Sequence, residues 1–400
     1  MALNPVYAAD GYEYQDGKRF AWILSIFVPS VLGLGPILYA LTGSAAAVWI
    51  PFVGLYAVFP VLDRFIGEDG NNPPEAVVPQ LEADDYYRWA NYALVPVLWA
   101  VFLGNALYLG TNDLPWTVAL PLTANMGLLC AFGINLGHEL GHKRDKTDRR
   151  MGNLALSLVG YGHFSIDHNR GHHKHVATPE DCASSRMGES LYRFALRELP
   201  GAFFRAWGLE AARVTRLGKR VWSLENEIVV NGLVTWGMVL GFTLAFGLKM
   251  LPFFLLAFFI GAFHLTAANY IEHYGLLRQR LPDGRYEKCQ PHHSWNSNHM
   301  CSNWALFHLQ RHSDHHANPS RRYQSLRTFP DLPSLPSGYP GMYLLAYLPP
   351  LWFRVMNPRL MESVGGDPER IHFQPGCRDA LMAKFGGAEG IVSEAAAPLS

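Results

Sequence analysis

The chain has 400 residues, of which 49% are apolar and only 16% carry charge, and its formal net charge is zero. Soluble globular proteins carry about a quarter charged residues, so this chain is depleted in charge while remaining rich in apolar side chains. The composition excludes a disordered chain, a disulfide-stapled secreted module and a nucleic-acid-binding protein. The five Cys form no C-x-x-C pair, which predicts reduced thiols and no cysteine-ligated metal site. The 17 His residues are the feature that needs explanation.

Six stretches lack Lys, Arg, Asp and Glu over the length that a helix needs to cross about 30 Å of hydrocarbon. These stretches are 21–40, 45–62, 91–110, 115–135, 228–248 and 252–271. They predict an all-α fold with a bundle of six transmembrane helices within residues 1–271, joined in pairs by very short turns. The alternative is six buried helices of a soluble protein.

Basic residues are sorted to one side of this bundle. No Lys or Arg lies inside the six spans, and Lys249 is the only one in the three short turns. Lys and Arg near span ends are retained in the cytoplasm. A soluble protein would have no reason for such sorting. We therefore expect both termini, an insertion at 136–227 and a cap at 272–385 to be cytoplasmic, with 386–400 as a mobile tail.

Nine His residues form spaced groups on the predicted cytoplasmic side. Box one is H-E-x-x-H at 138–142, box two is H-x-x-x-H-H at 168–173, and box three is H-x-x-H-H at 312–316. Imidazoles four residues apart share one helix face and can reach one metal. The nine candidates are His138, His142, His168, His172, His173, His273, His312, His315 and His316. One site uses three or four ligands, so nine imidazoles predict two metals, which could be zinc, copper, iron or nickel.

Each group also carries an adjacent carboxylate. Metal-bound imidazoles usually donate their second N–H to a carboxylate or a carbonyl. We expect Glu139, Asp167, Glu272 and Asp314 to play this part, and the alternative is that these acids are simply solvated.

The remaining His residues are not expected to bind metal. His264 lies about 13.5 Å deeper along its helix than His273, which favours a buried hydrogen-bonding role. His163, His175, His292, His293, His299 and His308 are off the spacing of the boxes, and we expect His372 at the surface.

Box one alone matches the H-E-x-x-H signature of zinc proteases, in which Glu139 would be the general base. That interpretation leaves seven of the nine imidazoles unexplained. Two metals held by imidazoles against a membrane bundle better suit the binding of dioxygen and attack on a C–H bond in the lipid phase.

The motifs resemble those of the AlkB-type membrane alkane 1-monooxygenases (alkane hydroxylases), in the membrane fatty-acid desaturase and hydroxylase superfamily. The resemblance rests on HELGHK (138–143), HNRGHH (168–173), NYIEHYG (269–275) and LQRHSDHHA (309–317), and extends through GEDGNNPPE (67–75), PGAFFRAWGLE (200–210), HHSWNSNH (292–299) and YQSLR (323–327). One departure is Asp167, where the family usually has Glu.

The resemblance implies a non-haem di-iron enzyme of the bacterial inner membrane that hydroxylates the terminal methyl of medium-chain n-alkanes to 1-alkanols. Dioxygen would be the oxidant, and electrons would come from rubredoxin, a separate chain served by a rubredoxin reductase. The substrate pocket would involve spans 21–40, 45–62 and 252–271. A rival within the superfamily acts on fatty acyl chains and would need a polar anchor at the cytoplasmic surface.

An acidic rubredoxin would dock on a basic cytoplasmic surface. The candidates are Lys143, Arg144, Lys146, Arg149 and Arg150 on one segment, and Arg213, Arg216, Lys219 and Arg220 on another. Basic clusters beside a membrane also bind anionic lipid headgroups, and this alternative stays open at the level of sequence.

Overall fold

The fold was obtained as a computed structural model that describes residues 3–386, so most of the predicted tail at 386–400 lies outside the described residues. The described chain is mostly helical. Its regular sheet is one short antiparallel hairpin, β1 (Val6–Ala9) and β2 (Tyr12–Gln15), which the all-α expectation did not include. All five Cys are free thiols, as predicted.

Eleven helices build the bundle and its cap. In chain order they are α1 (Arg19–Thr42), α2 (Ile50–Ile66), α3 (Asp85–Thr111), α4 (Trp116–Gly141), α5 (Lys146–Leu158), α6 (Leu191–Arg216), α7 (Glu227–Phe246), α8 (Met250–His273), α9 (His312–Ala317), α10 (Tyr339–Ala346) and α11 (Pro349–Ser363). Shorter helices are Ala45–Val48, Val78–Ala83, Phe164–Asp167, His173–His175, Met300–Ala305 and Arg378–Phe385.

Five helices are long and apolar enough to cross a membrane: α1, α3, α4, α7 and α8. They correspond to five of the six predicted spans, so the chain is a multi-pass membrane protein. The remaining span, 45–62, coincides with the helix Ala45–Val48 followed by α2. Because α2 has 17 residues, it extends only about 25 Å at 1.5 Å per residue.

Helices α4 and α8 form the centre of the bundle. The most apolar window of α4 is 83% buried, and the two helices approach each other through glycines. A Cβ added at Gly127 would lie 2.5 Å from Ile260, and one added at Gly261 would lie 2.4 Å from Cys130. Small residues allow membrane helices to pack closely. As a result, the ends that carry box one and His273 lie side by side.

The N-terminal hairpin and the loop after α2 support the cap beside box three. The buried side chain of Arg311 donates to the carbonyl oxygens of Asp69 and Leu326, each at 2.7 Å, and Asp69 also pairs with Lys18. These contacts tie the GEDGNNPPE and YQSLR segments to the residue that precedes His312.

Candidate metal centre

Box one occupies the last turn of α4. His138 lies within the helix and His142 is its C-terminal cap. Their side chains are one turn apart, and their ring centroids are 5.4 Å apart. The predicted i, i+4 arrangement is therefore formed at the end of a buried helix.

Box two forms a π-helical turn over His168–His172, directly followed by the short helix His173–His175. Such wide turns are rare and often occur at functional sites. A turn closed by i to i+5 hydrogen bonds brings residues five apart onto one face. Accordingly, the Nε2 atoms of His168 and His173 lie 3.1 Å apart.

Box three is the short helix α9, in which His312, His315 and His316 are all buried. Their spacing of three and four residues places them on one face. That face meets boxes one and two and the end of α8, where His273 is fully buried.

The imidazoles converge in two groups of four, and each group could hold a metal ion. One group consists of His138, His142, His168 and His315, and the other of His172, His273, His312 and His316. Within each group the candidate ligand atoms lie within 4.8 Å of one another. His173 lies between the groups, with its ring centroid 4.5 Å from that of His142 and 4.3 Å from that of His316.

The ring nitrogens have the spacing of ligands. The Nε2 atom of His312 lies 2.8 Å from that of His316 and 3.3 Å from that of His273. Two nitrogens held about 2.1 Å from one metal are about 3 to 3.4 Å apart. Buried nitrogens that lack a hydrogen-bond partner within the described chain include Nε2 of His138, His142, His172 and His315. Because buried polar atoms rarely stay unpaired, this donor set fits metal ions.

Six of the imidazoles outside the membrane helices are neutral in this environment. Burial, and then the neighbouring imidazoles and nearby cations, lower the pKa well below its usual value for His142, His168, His173, His312, His315 and His316. Neutral imidazole is the form that binds metals.

Two carboxylates contact the imidazoles directly. The Oδ2 atom of Asp181 lies 2.8 Å from Nδ1 of His172, and Oε2 of Glu272 lies 3.2 Å from Nε2 of His312. Burial acts to raise the pKa of Asp181, but His172 and Arg205 outweigh it and hold this pKa far below its usual range. Asp181 was missed at the sequence level because it follows box two by eight residues and stands in no motif.

The other three predicted carboxylates bond to groups other than the imidazoles. Glu139 pairs with Lys143 at 3.0 Å, and Asp314 pairs with Arg327 at 2.7 Å. Asp167 binds Arg205, and the same guanidinium donates to Asp181 at 2.9 Å. The hydrogen bond expected between each of these acids and its neighbouring imidazole is thus replaced by an ion pair.

The remaining His residues lie outside both groups. His264 is buried in α8 and bonds to Tyr56 and to the carbonyl oxygen of Ile260, as expected. Those predicted to be bystanders, His163, His175, His292, His293, His299 and His308, belong to neither group. The prediction that His372 lies at the surface is wrong, because this residue is only 8% exposed. Its backbone bonds to Met187 and Gly275, and these bonds hold it within the cap.

A cavity opens beside the imidazoles. His138, His168 and His312 line one part of it, so both groups border the space. Most other lining residues are apolar: Leu55, Phe59, Leu128, Ala131, Phe132, Phe164, Leu265, Ala268, Ala305, Leu306, Leu309 and Pro340. The cavity suits a hydrocarbon.

A second, basic cleft reaches the imidazoles at His142. It is lined by His142, Lys143, Arg144, Lys146, Arg149, Arg150 and Arg170 among others. Lys143 was expected at the docking surface. It is instead buried, and it bonds to Glu139 and to the carbonyl oxygen of Arg321. In the second predicted basic segment, Arg213 pairs with Glu210, whereas Arg216, Lys219 and Arg220 are exposed.

Comparison with known proteins places this geometry in a family. The fatty acid desaturase family matches residues 113–344, a range that contains all nine imidazoles. An alkane 1-monooxygenase of Ectopseudomonas oleovorans is 50% identical over 380 residues, covering 94% of this chain and 93% of that protein. Alkane 1-monooxygenase 1 of Alcanivorax borkumensis is 50% identical over 381 residues, 94% of both chains, and an alkane 1-monooxygenase of Pseudomonas putida is 50% identical over 382 residues, 93% of both. The chain belongs to the alkane 1-monooxygenase family.

The structure shows what Asp167, the departure noted in the sequence, contacts. Both of its oxygens bind Arg205, at 2.5 and 2.9 Å. Arg205 belongs to the PGAFFRAWGLE motif and also donates to Asp181. Asp167 is therefore linked through Arg205 to the carboxylate that contacts His172.

Proposed function

We propose that this chain is a membrane monooxygenase that hydroxylates the terminal methyl of medium-chain n-alkanes at two non-haem irons. The observation that carries the proposal is a double imidazole group that borders a largely apolar cavity. The relatives named alkane 1-monooxygenase, which align over nearly the whole chain, support the same reaction.

The nine imidazoles would hold the irons, four in each group with His173 between them. When bound, the irons would supply dioxygen activation and oxygen insertion. The protein's own residues then supply orientation and an environment without water. Asp181 would fix the orientation of His172 through Nδ1, whereas Glu272 lies against Nε2 of His312 on the side of the converging ligand atoms.

The cavity would determine which carbon reacts. The C–H bonds of an alkane's terminal methyl are stronger than those of its methylenes, so positioning must override reactivity. The walls are largely apolar, and the imidazoles of both groups border the space. A chain end held against the imidazoles by such walls would be hydroxylated at its terminal methyl.

The two alternatives fit the geometry less well. An acyl chain with a carboxylate or thioester would need a cationic anchor, and no Lys or Arg stands among the described residues that line the cavity. A zinc protease would need Glu139 as a free base, but Glu139 pairs with Lys143 and accepts from the backbone of Tyr323.

We further propose that α2, with the short helix before it, completes a six-span bundle in the bacterial inner membrane. Both termini and the metal centre would then face the cytoplasm, in accord with the sorting of Lys and Arg. Rubredoxin would deliver electrons at the basic cleft, because this cleft ends at His142. The exposed Arg216, Lys219 and Arg220 remain a second candidate for the same contact.

Product analysis tests this function. Membranes containing the protein, supplied with rubredoxin, its reductase and octane, should form 1-octanol and little 2-octanol, while octanoate should remain unchanged. The His312→Ala variant should form no alcohol, and His293→Ala, which alters a histidine outside both groups, should match the wild type. A mixture of 1- and 2-octanol would contradict the positioning argument, and conversion of octanoate alone would favour the acyl-chain alternative.

A further inference from the structure

A groove on the lipid-facing side of the bundle lies directly against the cavity. Phe52 and Val53 of α2 and Phe259, Ile260 and Phe263 of α8 line most of it. Val53 and Phe259 are exposed. The groove is therefore an open apolar depression, which would face the lipid phase in the proposed six-span bundle.

Only a thin wall separates this groove from the cavity. Tyr56 and His264 line both spaces, so their side chains form the boundary. His264 lies nine residues before His273 on α8, about 13.5 Å away along the helix. The wall thus stands at the far end of the cavity from the His273 side of the metal centre.

The wall is closed by a hydrogen bond whose direction can be assigned. Nδ1 of His264 lies 2.7 Å from the carbonyl oxygen of Ile260, and because a carbonyl only accepts, Nδ1 carries the hydrogen. In a neutral imidazole the other nitrogen is then an acceptor. The hydroxyl of Tyr56 accordingly donates to Nε2 of His264.

Helix α2 has a built-in weak point at the same residue. Pro60 lies inside α2 and has no amide hydrogen to donate to the carbonyl oxygen of Tyr56, four residues earlier. A proline inside a helix removes one hydrogen bond of the ladder and favours bending there. The segment that carries Tyr56 can therefore tilt without breaking a further backbone hydrogen bond.

We propose that the groove is the entrance through which n-alkanes dissolved in the bilayer pass sideways into the cavity, and that the Tyr56–His264 hydrogen bond closes it. The proposal rests on the proposed function, because it takes the cavity as the alkane site. Two apolar side chains could form the same wall by packing alone. A hydrogen bond instead holds one closed geometry, and its loss gives an open one.

A labelling experiment that needs no metal tests this entrance. Ala268 lines the cavity, and Ala268→Cys places a thiol there in protein reconstituted into lipid nanodiscs. Octyl methanethiosulfonate added to the lipid will label this thiol at a rate set by passage through the wall. Mass spectrometry of the peptide containing residue 268 measures that labelling rate. Adding Tyr56→Phe, which removes only the hydroxyl, should raise the rate about threefold to tenfold, the range that one lost hydrogen bond allows.

Tyr343→Phe is the matched control. It removes a hydroxyl from the same cavity but leaves the groove unaltered, so it should label at the parent rate. Equal rates in the Tyr56→Phe and Tyr343→Phe proteins would overturn the proposal.

A second pair of variants blocks the groove and does not depend on the hydrogen bond. Val53 and Val58 both lie on α2 and are 52% and 50% exposed, but only Val53 lines the groove. Val53→Trp should slow labelling and lower kcat/KM for octane without changing kcat, and Val58→Trp should do neither. Equal effects of the two Trp variants would overturn the entrance.

The two readouts separate this inference from the proposed function. If octane yields 1-octanol but the labelling rates do not respond to Tyr56→Phe or Val53→Trp, the entrance is wrong and the function stands. If labelling responds as expected but no alcohol forms, the groove admits hydrocarbon and the proposed function is wrong.

Discussion

At the scale of single residues, the orientation of each imidazole depends on what its second nitrogen meets. His172 is held by Asp181, and Asp181 is held in turn by Arg205 and by the hydroxyl of Ser184 at 2.7 Å. All these side chains except Arg205 are buried. A carboxylate in this position fixes the imidazole tautomer and raises its basicity toward a metal.

Replacing Asp181 should therefore weaken metal binding. In Asp181→Asn the shape is kept and the negative charge is lost, so we expect metal affinity to fall about 10-fold to 100-fold. The measurement is the iron retained by purified protein during dialysis against a graded chelator. Glu180→Gln is the control, because Glu180 is the adjacent acid and is 44% exposed. Equal iron retention in Asp181→Asn and wild type would show that Asp181 does not support the metal.

The imidazoles could be selected from the sequence because ligand spacing is local. Three boxes and His273 were identified by counting residues, and eight of these nine imidazoles form the two groups in the structure, with His173 between them. The partners of the acids could not be predicted this way. Asp314 pairs with Arg327 and Glu139 with Lys143, and a sequence does not show whether a carboxylate will find a cation or an imidazole in space.

At the scale of elements, the insertion at 136–227 is joined to the bundle where α6 packs on α8. Glu198 of α6 is 1% exposed and accepts hydrogen bonds from Thr266 at 2.6 Å and Asn269 at 3.1 Å, both on α8. Burial raises the pKa of Glu198 to about 7. This carboxyl is the titratable group that connects the two helices.

The stability of this junction should depend on pH. The pKa of Glu198 is higher in the folded chain than the value of about 4.3 expected for an unfolded Glu, so protonation favours the fold. The stabilising contribution is complete below about pH 4 and is lost as pH rises through about 7. The Glu198→Gln variant has no proton to lose, so its midpoint of thermal unfolding should exceed that of wild type at pH 8 by more than at pH 5.

The exposed residue Glu225 provides the control for that measurement. A Glu225→Gln variant should differ from wild type by the same small amount at both pH values. A pH-independent difference between Glu198→Gln and wild type would contradict the shifted pKa.

The helices were predictable to the extent that hydropathy determines them. A bilayer offers no water to satisfy an irregular backbone, so a long charge-free stretch must form a helix there. For this reason such stretches located five of the long apolar helices that the structure contains. The β-hairpin was not predictable, since its strands have four residues each and depend on contacts with distant segments. The π-helical turn of box two likewise reflects packing of three His boxes rather than any local propensity.

At the scale of the whole molecule, apolar and charged surfaces are divided between two approaches to one centre. The largely apolar cavity borders both imidazole groups, and the basic cleft reaches the same centre at His142. This arrangement would let an alkane and an electron carrier reach the same centre without sharing a path.

Charge reversal in the cleft should weaken the electron carrier's binding. Arg149→Glu should raise the KM for reduced rubredoxin about tenfold at low ionic strength, with kcat unchanged, and salt should narrow the difference. Lys288→Glu makes the same charge change at an exposed residue outside the cleft and should leave this KM unaltered. If both variants have the wild-type KM at low salt, the carrier docks elsewhere, and Arg216, Lys219 and Arg220 become the next residues to reverse.

The metal content of the purified protein tests the central claim most directly. Mass-spectrometric quantification of iron and zinc per chain should give two irons and essentially no zinc in the wild type. The His315→Ala variant should contain less iron, while His293→Ala should retain both ions. One zinc per chain without iron, or full iron loading in His315→Ala, would contradict a centre in which nine imidazoles hold two irons.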